Sequence, residues 1–529
     1  MQPQRWWNWR SPWGGSLWMT AAGALGAGGF APWSQPLLLA VALGLLLVLL
    51  REAGWRRGLG LGFVFGVGHF IPAFSWLITS LHVHGHIPLP TSWLILTGLA
   101  AAMAVHTALF GLLYVLWAPP GWAGLLAAPA LWAACEWLRT VLFSGFPWNL
   151  AGYAWTPWLE VLQVADLGGV ILLSTLTMAL GALWAAALSD PGGWRRRGLL
   201  LGGAVGLLAL AHGYGAWRLA ALDALPPSGD PPLAVGLVQG NIPQELKWQK
   251  GYNGPTLKIY EELTRRLPGP LDLVVWPETA LPFFLEIYGV HRHQMGALVQ
   301  QAGAPILTGV PLLRPVTGDP SGRSWDFFNG ALLLNEQGDT GRRYEKHHLV
   351  PYGEYVPLRW LLPGTIQKLT PGGQDFTPGP GPVPLAWDKG ALGILICYET
   401  IFPDEVRTLA RAGARWLVNL TNDGWFGPSA KPQHLAMAQM RAVENRLPMI
   451  RVANTGISAA FDHRGRELIR IPALARDAVR VLVPPGTGES LFRRIGMAWL
   501  GPLFLAALAA SWWLRWRQGR LPGMPDTSG

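Results

Sequence analysis

The sequence predicts a chain in two parts, an all-α membrane region joined to a layered α/β domain. Seven strongly apolar segments crowd the first 220 residues, and an eighth lies near the C-terminus. Between them, short apolar runs alternate with helical patterns, the signature of buried strands with helices packed on them. Composition agrees: of 529 residues, 50% are hydrophobic and 14% charged, with 30 Trp. A soluble domain carries about 25% charged residues. That composition excludes a disordered chain, and the abundant Gly and Pro, 66 and 45, show no three-residue period, so a collagen-like chain does not fit either.

The apolar segments run approximately over 15–31, 36–50, 59–80, 92–117, 121–142, 162–189 and 198–217, with the last at about 495–514. Most approach the roughly 20 residues that cross a bilayer. Arg5 and Arg10 precede the first, but further segments follow at once, so a retained helix is expected rather than a cleaved signal peptide.

The basic residues fall in alternate links. Arg51, Arg56 and Arg57, then Arg195, Arg196 and Arg197, then Arg515, Arg517 and Arg520 mark the same side as the N-terminal tail. By the positive-inside rule both termini are cytoplasmic. Arg493 and Arg494 sit on the other side and weaken the pattern. The formal charge, 41 − 31 = +10, is therefore a topology signal and not a nucleic-acid patch.

Residues 1–220 are expected to form the seven-helix region, 221–232 a linker rich in Pro, and 233–487 the α/β domain. The last helix and tail fill 488–529. Expected strands are Leu233–Val238, Leu271–Trp276, Ile306–Val310, Ala331–Leu334, Ala391–Ile396 and Trp416–Leu420, with helices at Tyr260–Leu267 and Glu405–Ala412. Seven crossings place the α/β domain outside the cytoplasm.

Polar residues at strand ends are the candidates for chemistry. Glu278 follows one apolar strand, and Cys397, Tyr398 and Glu399 follow another. A cysteine at a strand-to-helix turn is either an exposed nucleophile or a buried structural thiol. A nucleophilic thiol needs a base or a nearby cation. Glu278 is a candidate base or a strand-end cap, and Lys346 a candidate oxyanion donor or a solvated surface lysine. Two cysteines form no disulfide framework, and no zinc, EF-hand or phosphate-loop motif occurs, so no cofactor and no metal are expected.

Glu278 in WPET, Lys346 in KHHLVPYGEYVP and Cys397 in CYE resemble the Glu-Lys-Cys triad of the nitrilase superfamily. VQGNIPQELKW (238–248), GFPW (145–148), TNDGWFG (421–427) and the eight-helix frame resemble the bacterial apolipoprotein N-acyltransferases. The resemblance implies a four-layer α-β-β-α domain facing the periplasm on an eight-helix base in the inner membrane. It implies acyl transfer from a phospholipid to the N-terminal cysteine of a diacylglyceryl lipoprotein through a Cys397 thioester. Glu278 then resembles the general base, Lys346 the oxyanion donor, Glu354 a supporting carboxylate, and Tyr398 and Glu399 the residues after the nucleophile. Trp248 resembles a tryptophan at the substrate mouth, where Trp425 and Phe426 join it or serve as interfacial anchors. A membrane frame opposes the assembly common among soluble nitrilases, so a monomer is expected.

His82, His84 and His86 alternate in a link, as a polar hairpin tip or a metal site. Glu136 and Arg139, three apart near a span end, form a structural pair or a functional one. His347, His348, His434 and His463 allow a Cys–His reading of the nucleophile. Two rival functions remain: a membrane-tethered hydrolase with the same triad, and a transporter or receptor that only binds ligand. Cys397→Ser would abolish acyl transfer but spare binding alone.

Overall fold

The computed structural model describes residues 12–118, 122–226, 229–249, 251–287, 289–316, 324–339, 341–361, 368 and 374–517. Arg5, Arg10, Arg520 and the linker residues Pro227 and Ser228 lie outside them. The chain forms two compact units. One comprises Met1–Ile78, Pro88–Ala220 and Arg494–Gly529; the other comprises Thr79–Ile87 and Ala221–Arg493.

The first unit is helical. Its long helices are Pro12–Ala27, Pro36–Leu50, Trp55–Ala73, Leu89–Trp117, Trp122–Val141, Ala165–Ser189, Gly193–Asp223 and Leu500–Arg517. Among the described residues, Leu89–Trp117, Ala165–Ser189 and Gly193–Asp223 are long and apolar enough to cross a membrane. Small residues let neighbouring helices approach closely. A Cβ on Gly62 would lie 2.2 Å from the Thr107 carbonyl oxygen, and one on Gly23 would lie 2.1 Å from that of Phe65.

Glu136 and Arg139 hold the link that follows their helix. Glu136 Oε1 accepts from Ala151 N at 2.9 Å, and an Arg139 guanidinium nitrogen donates to Trp148 O at 3.1 Å. Both also line a small pocket shared with His69, His106 and Asn149. The pair satisfies main-chain groups that hydrocarbon would leave unbonded.

The second unit contains two sheets. Strands β1 (Leu233–Gln239), β2 (Leu273–Val275), β3 (Ile306–Pro315), β4 (Trp325–Leu334), β5 (Arg343–Glu345) and β11 (Asp477–Val483) make the first, in the order β11-β1-β2-β3-β4-β5. Strands β6 (Leu392–Ile396), β7 (Trp416–Thr421), β8 (Met449–Ala453), β9 (Ser458–Phe461) and β10 (Glu467–Ile471) make the second, in the order β10-β9-β8-β7-β6. β1–β2–β3 and β6–β7–β8 run parallel, and the remaining neighbours antiparallel.

One core draws Val235, Leu273 and Leu333 from the first sheet together with Ile394, Val418 and Val452 from the second. A second core sets the first sheet's other residues, such as Val274 and Ile306, against Leu257 and Leu298 of helices Asn253–Arg265 and Gly289–Ala302. A third sets Leu395 and Leu417 against Leu409 and Ala438 of helices Pro403–Arg411 and Ala430–Asn445. Alternate residues of each strand therefore face different cores, as the pleat requires.

The segment Thr79–Ile87 differs from the expected hairpin tip. Thr79–His84 forms a π-helical turn packed within the second unit. Ser80 Oγ donates to Trp425 O at 2.7 Å, and the His84 ring meets the Trp425 ring edge-on at 5.6 Å. His84 Nδ1 lies 3.5 Å from Glu245 Oε1, and His82 Nδ1 donates to Ile87 O at 2.8 Å.

Candidate functional site

Parallel strands end together, so polar residues just beyond them gather at one edge of their sheet. Glu278 follows β2 by three residues, Lys346 directly follows β5, and Cys397 directly follows β6. Cys397 has φ 51°, a left-handed conformation that a cysteine adopts only under constraint. Thr279, beside Glu278, is also left-handed at φ 49°.

The charged groups form one buried network. Lys346 Nζ lies 2.9 Å from Glu354 Oε2 and 3.9 Å from Glu278 Oε1. Asn329 Nδ2 donates to Glu278 Oε1 at 2.7 Å and to Glu354 Oε1 at 2.8 Å. Asn422 N donates to Glu278 Oε2 at 2.8 Å, and Val350 N to Glu354 Oε2 at 2.8 Å. All of Glu278, Asn329, Lys346, Glu354 and Cys397 are buried.

Burial sets the proton affinities. It raises Glu278 above the ordinary carboxylate range, against the pull of Lys346. It also raises the Cys397 thiol, and the Glu278 charge adds to the rise while Lys346 opposes it. Burial works against the Lys346 ammonium, but Glu354 and Glu278 hold its pKa above the usual lysine value. Burial and the flanking charges therefore favour the neutral thiol at Cys397 and the ammonium at Lys346.

The residues after Cys397 act on the main chain. Glu399 is fully buried; its Oε1 accepts from Tyr344 Oη at 3.0 Å, His347 N at 2.7 Å and His348 N at 3.2 Å. Its Oε2 accepts from Ile396 N at 2.7 Å. It therefore ties the strand end bearing Lys346 to the one bearing Cys397. Burial pushes Glu399 up to about 7. Tyr398 is buried against Phe402, with ring centroids 5.0 Å apart.

His434 is not placed as a thiol base. Its Nε2 donates to the Cys397 main-chain O at 3.1 Å, and its Nδ1 lies 3.0 Å from Asp423 Oδ1. Arg451 in turn donates to Asp423 Oδ2 at 2.6 Å. This buried set fixes the nucleophile's backbone. His348 pairs with Glu405 at 2.6 Å, and His463 meets Thr487 Oγ1 at 2.8 Å, so neither ring is directed at the sulfur by these bonds.

The aromatic residues are half-buried. Phe426 packs on the core cluster that includes Cys397, and Trp425 carries the Ser80 and His84 contacts described above. Trp248 ends the short turn Gln244–Lys247.

Sequence reading singled out none of four further residues that bond to the site: Asn329, Asn422, Gln244 and Lys247. Asn329 sits inside an apolar strand, where a polar residue is the available signal. Gln244 Oε1 accepts from Asn422 Nδ2 at 2.8 Å, and Lys247 Nζ donates to Glu278 O at 3.0 Å.

Gly309 on β3 permits the Glu278 turn to approach. A Cβ there would lie 2.6 Å from Glu278 Cα and 2.5 Å from Thr279 N. Gly309→Ala is expected to displace the Glu278 turn and cut kcat about 100-fold. Parallel melting and kinetic measurements check this; unchanged kcat refutes it.

Two family models match the chain: the apolipoprotein N-acyltransferase N-terminal domain over residues 22–183, and carbon-nitrogen hydrolase over 234–488. An apolipoprotein N-acyltransferase from Azotobacter vinelandii is 38% identical over 96% of both chains. One from Geobacter metallireducens is 35% identical over 86% of this chain and 87% of its own. Among solved structures, a carbon-nitrogen hydrolase from Helicobacter pylori G27 matches with TM-score 0.36 at 17% identity, covering 52% of this chain and 94% of that one. On its length, identity and two matched regions, the chain belongs to the apolipoprotein N-acyltransferase family.

Proposed function

We propose that the protein moves a fatty acyl chain from a phospholipid to the N-terminal cysteine α-amine of a diacylglyceryl lipoprotein, the last step of lipoprotein maturation. The observation that carries this reading is the buried Glu278–Lys346–Glu354 network acting on a strained Cys397, in a chain of this family.

Glu278 takes the thiol proton as sulfur attacks the ester carbonyl carbon, and Lys346 faces the oxyanion that develops. Collapse breaks the ester bond, and Glu278 returns the proton to the departing lysophospholipid oxygen. The lipoprotein amine then attacks the thioester, gives its proton to Glu278, and releases Cys397 as thiol. Ester to thioester is roughly balanced and thioester to amide is downhill, so no nucleotide is needed. Each substrate visits the same sulfur in turn, which gives ping-pong kinetics.

The helical unit supplies the setting. Extracting lipid substrates into water would cost about 0.8 kcal/mol per CH₂. An eight-helix inner-membrane base carrying a four-layer α-β-β-α domain on the periplasmic side avoids this, and alternate arginine-bearing links support that orientation. Trp248, Trp425 and Phe426 line the lipid mouth of the site, and the enzyme works as a monomer.

The test is mass spectrometry of Cys397 after incubation with a defined phospholipid, followed by diacylated lipopeptide. The expected results are an acyl mass on Cys397 and then its transfer to the peptide amine. Release solely as free fatty acid would make the protein a hydrolase instead.

A further inference from the structure

The network above leaves one buried ammonium without a role in the mechanism. Lys247 is fully buried, in a turn that grips Glu278 from two directions. Its Nζ donates to the Glu278 main-chain O, while Gln244 of the same turn holds Asn422, whose N–H binds the Glu278 carboxylate. Holding one carbonyl needs only a neutral donor. Burying an ammonium is far more expensive, so a charge retained here calls for a partner of opposite sign.

The surrounding charges supply it. Glu278 and Glu354 share the Lys346 ammonium, while Asp423 is paired with Arg451. Glu399 shares its oxygens among four donors, and Glu245 on the same turn is exposed toward His84. With Glu278 ionised, as its role as base requires, the cluster of Glu278, Glu354 and Lys346 carries one excess negative charge. It keeps that charge when the thiol proton moves to Glu278 and the oxyanion forms.

Resting on the acyl-enzyme reading, we propose that Lys247 is a positioning residue of the acyl transfer. It fixes the Glu278 turn and cancels the excess negative charge around Cys397. Burial lowers its pKa to about 8, although Glu278 and Cys397 oppose the drop. The ammonium is therefore present at neutrality and lost as pH rises through about 8. Cys397 lies above that range and Glu399 below it.

The test follows thioester formation alone, with the full-length protein in micelles and phosphatidylglycerol as acyl donor. Neither the donor nor the missing lipopeptide brings an amine to titrate. In wild type the rate is expected to fall as pH rises through about 8. Lys247→Met is expected to lower the neutral rate about 100-fold, a loss typical of a misplaced reacting group. Lys247→Arg, whose guanidinium stays protonated, is expected to recover at least about a tenth of the rate and to remove the alkaline fall.

A Lys247→Arg protein that keeps the wild-type fall, or is as slow as Lys247→Met, overturns the proposal. So does a Lys247→Met protein with wild-type rate. If the methionine variant does not fold, the arginine variant decides. Absence of any thioester on wild-type Cys397 is a separate outcome, and it refutes the acyl-enzyme reading itself.

Discussion

Cys397→Ala is expected to give a folded protein that forms no thioester and transfers no acyl chain, a loss of at least about 10⁴-fold. The fold tolerates the change because Cys397 contributes one small side chain to a large core. Its backbone is fixed by His434 and the Asp423–Arg451 pair, none of which needs the sulfur. The stability loss should be about 1 kcal/mol. Thermal unfolding with mass spectrometry checks both halves of the expectation. Retained transfer would place the nucleophile elsewhere.

Lys346→Met is expected to harm activity and stability together. Removing one partner from a buried ion pair costs about 3–5 kcal/mol, because the charge left behind has no solvent. Here two carboxylates are left, Glu278 and Glu354, joined through the same Asn329 amide. Loss of the oxyanion donor should lower kcat about 10²–10³-fold.

The pH dependence has a definite sign. Burial already raises Glu278, and without the cation it binds its proton more tightly still in the folded state. The stability this contributes is fully present below its unfolded pKa and lost as pH rises through its raised folded value. The variant's deficit should therefore shrink in acid. Adding Glu354→Gln should restore stability but not turnover, measured by denaturant melts and acyl transfer. Full recovery of turnover would remove Lys346 from the chemistry.

The central strands were legible because parallel strands buried on both faces read as continuous apolar runs. β1, β6 and β7 appear nearly as their runs suggest. β8 was missed because Arg451 interrupts it; only the fold brings Asp423 to that guanidinium. β10 and β11 were missed because they mix charged with apolar residues and are partly exposed. β3 and β4 extend beyond their apolar cores, through Pro315 and from Trp325.

Glu278, Lys346, Glu354 and Cys397 were legible as motif residues, but the bonds among them were not. Those depend on Asn329 and Asn422, whose neighbours in sequence carry no hint of the carboxylates they hold. Lys247 was hidden for a related reason. A lysine two residues after a glutamate, in a short turn, ordinarily faces water.

The Thr79–Ile87 turn has a consequence for assembly. It is synthesised well before the later turn it packs with, yet it supplies the Ser80 and His84 contacts to Trp425. The globular half is therefore discontinuous in the gene: a strap from the early sequence completes a body built mostly from the later one. A fragment starting at Ala221 would lack that strap, and Trp425 would lose its braces. Translation order thus makes the strap wait, and the sheet-bearing body must close upon it.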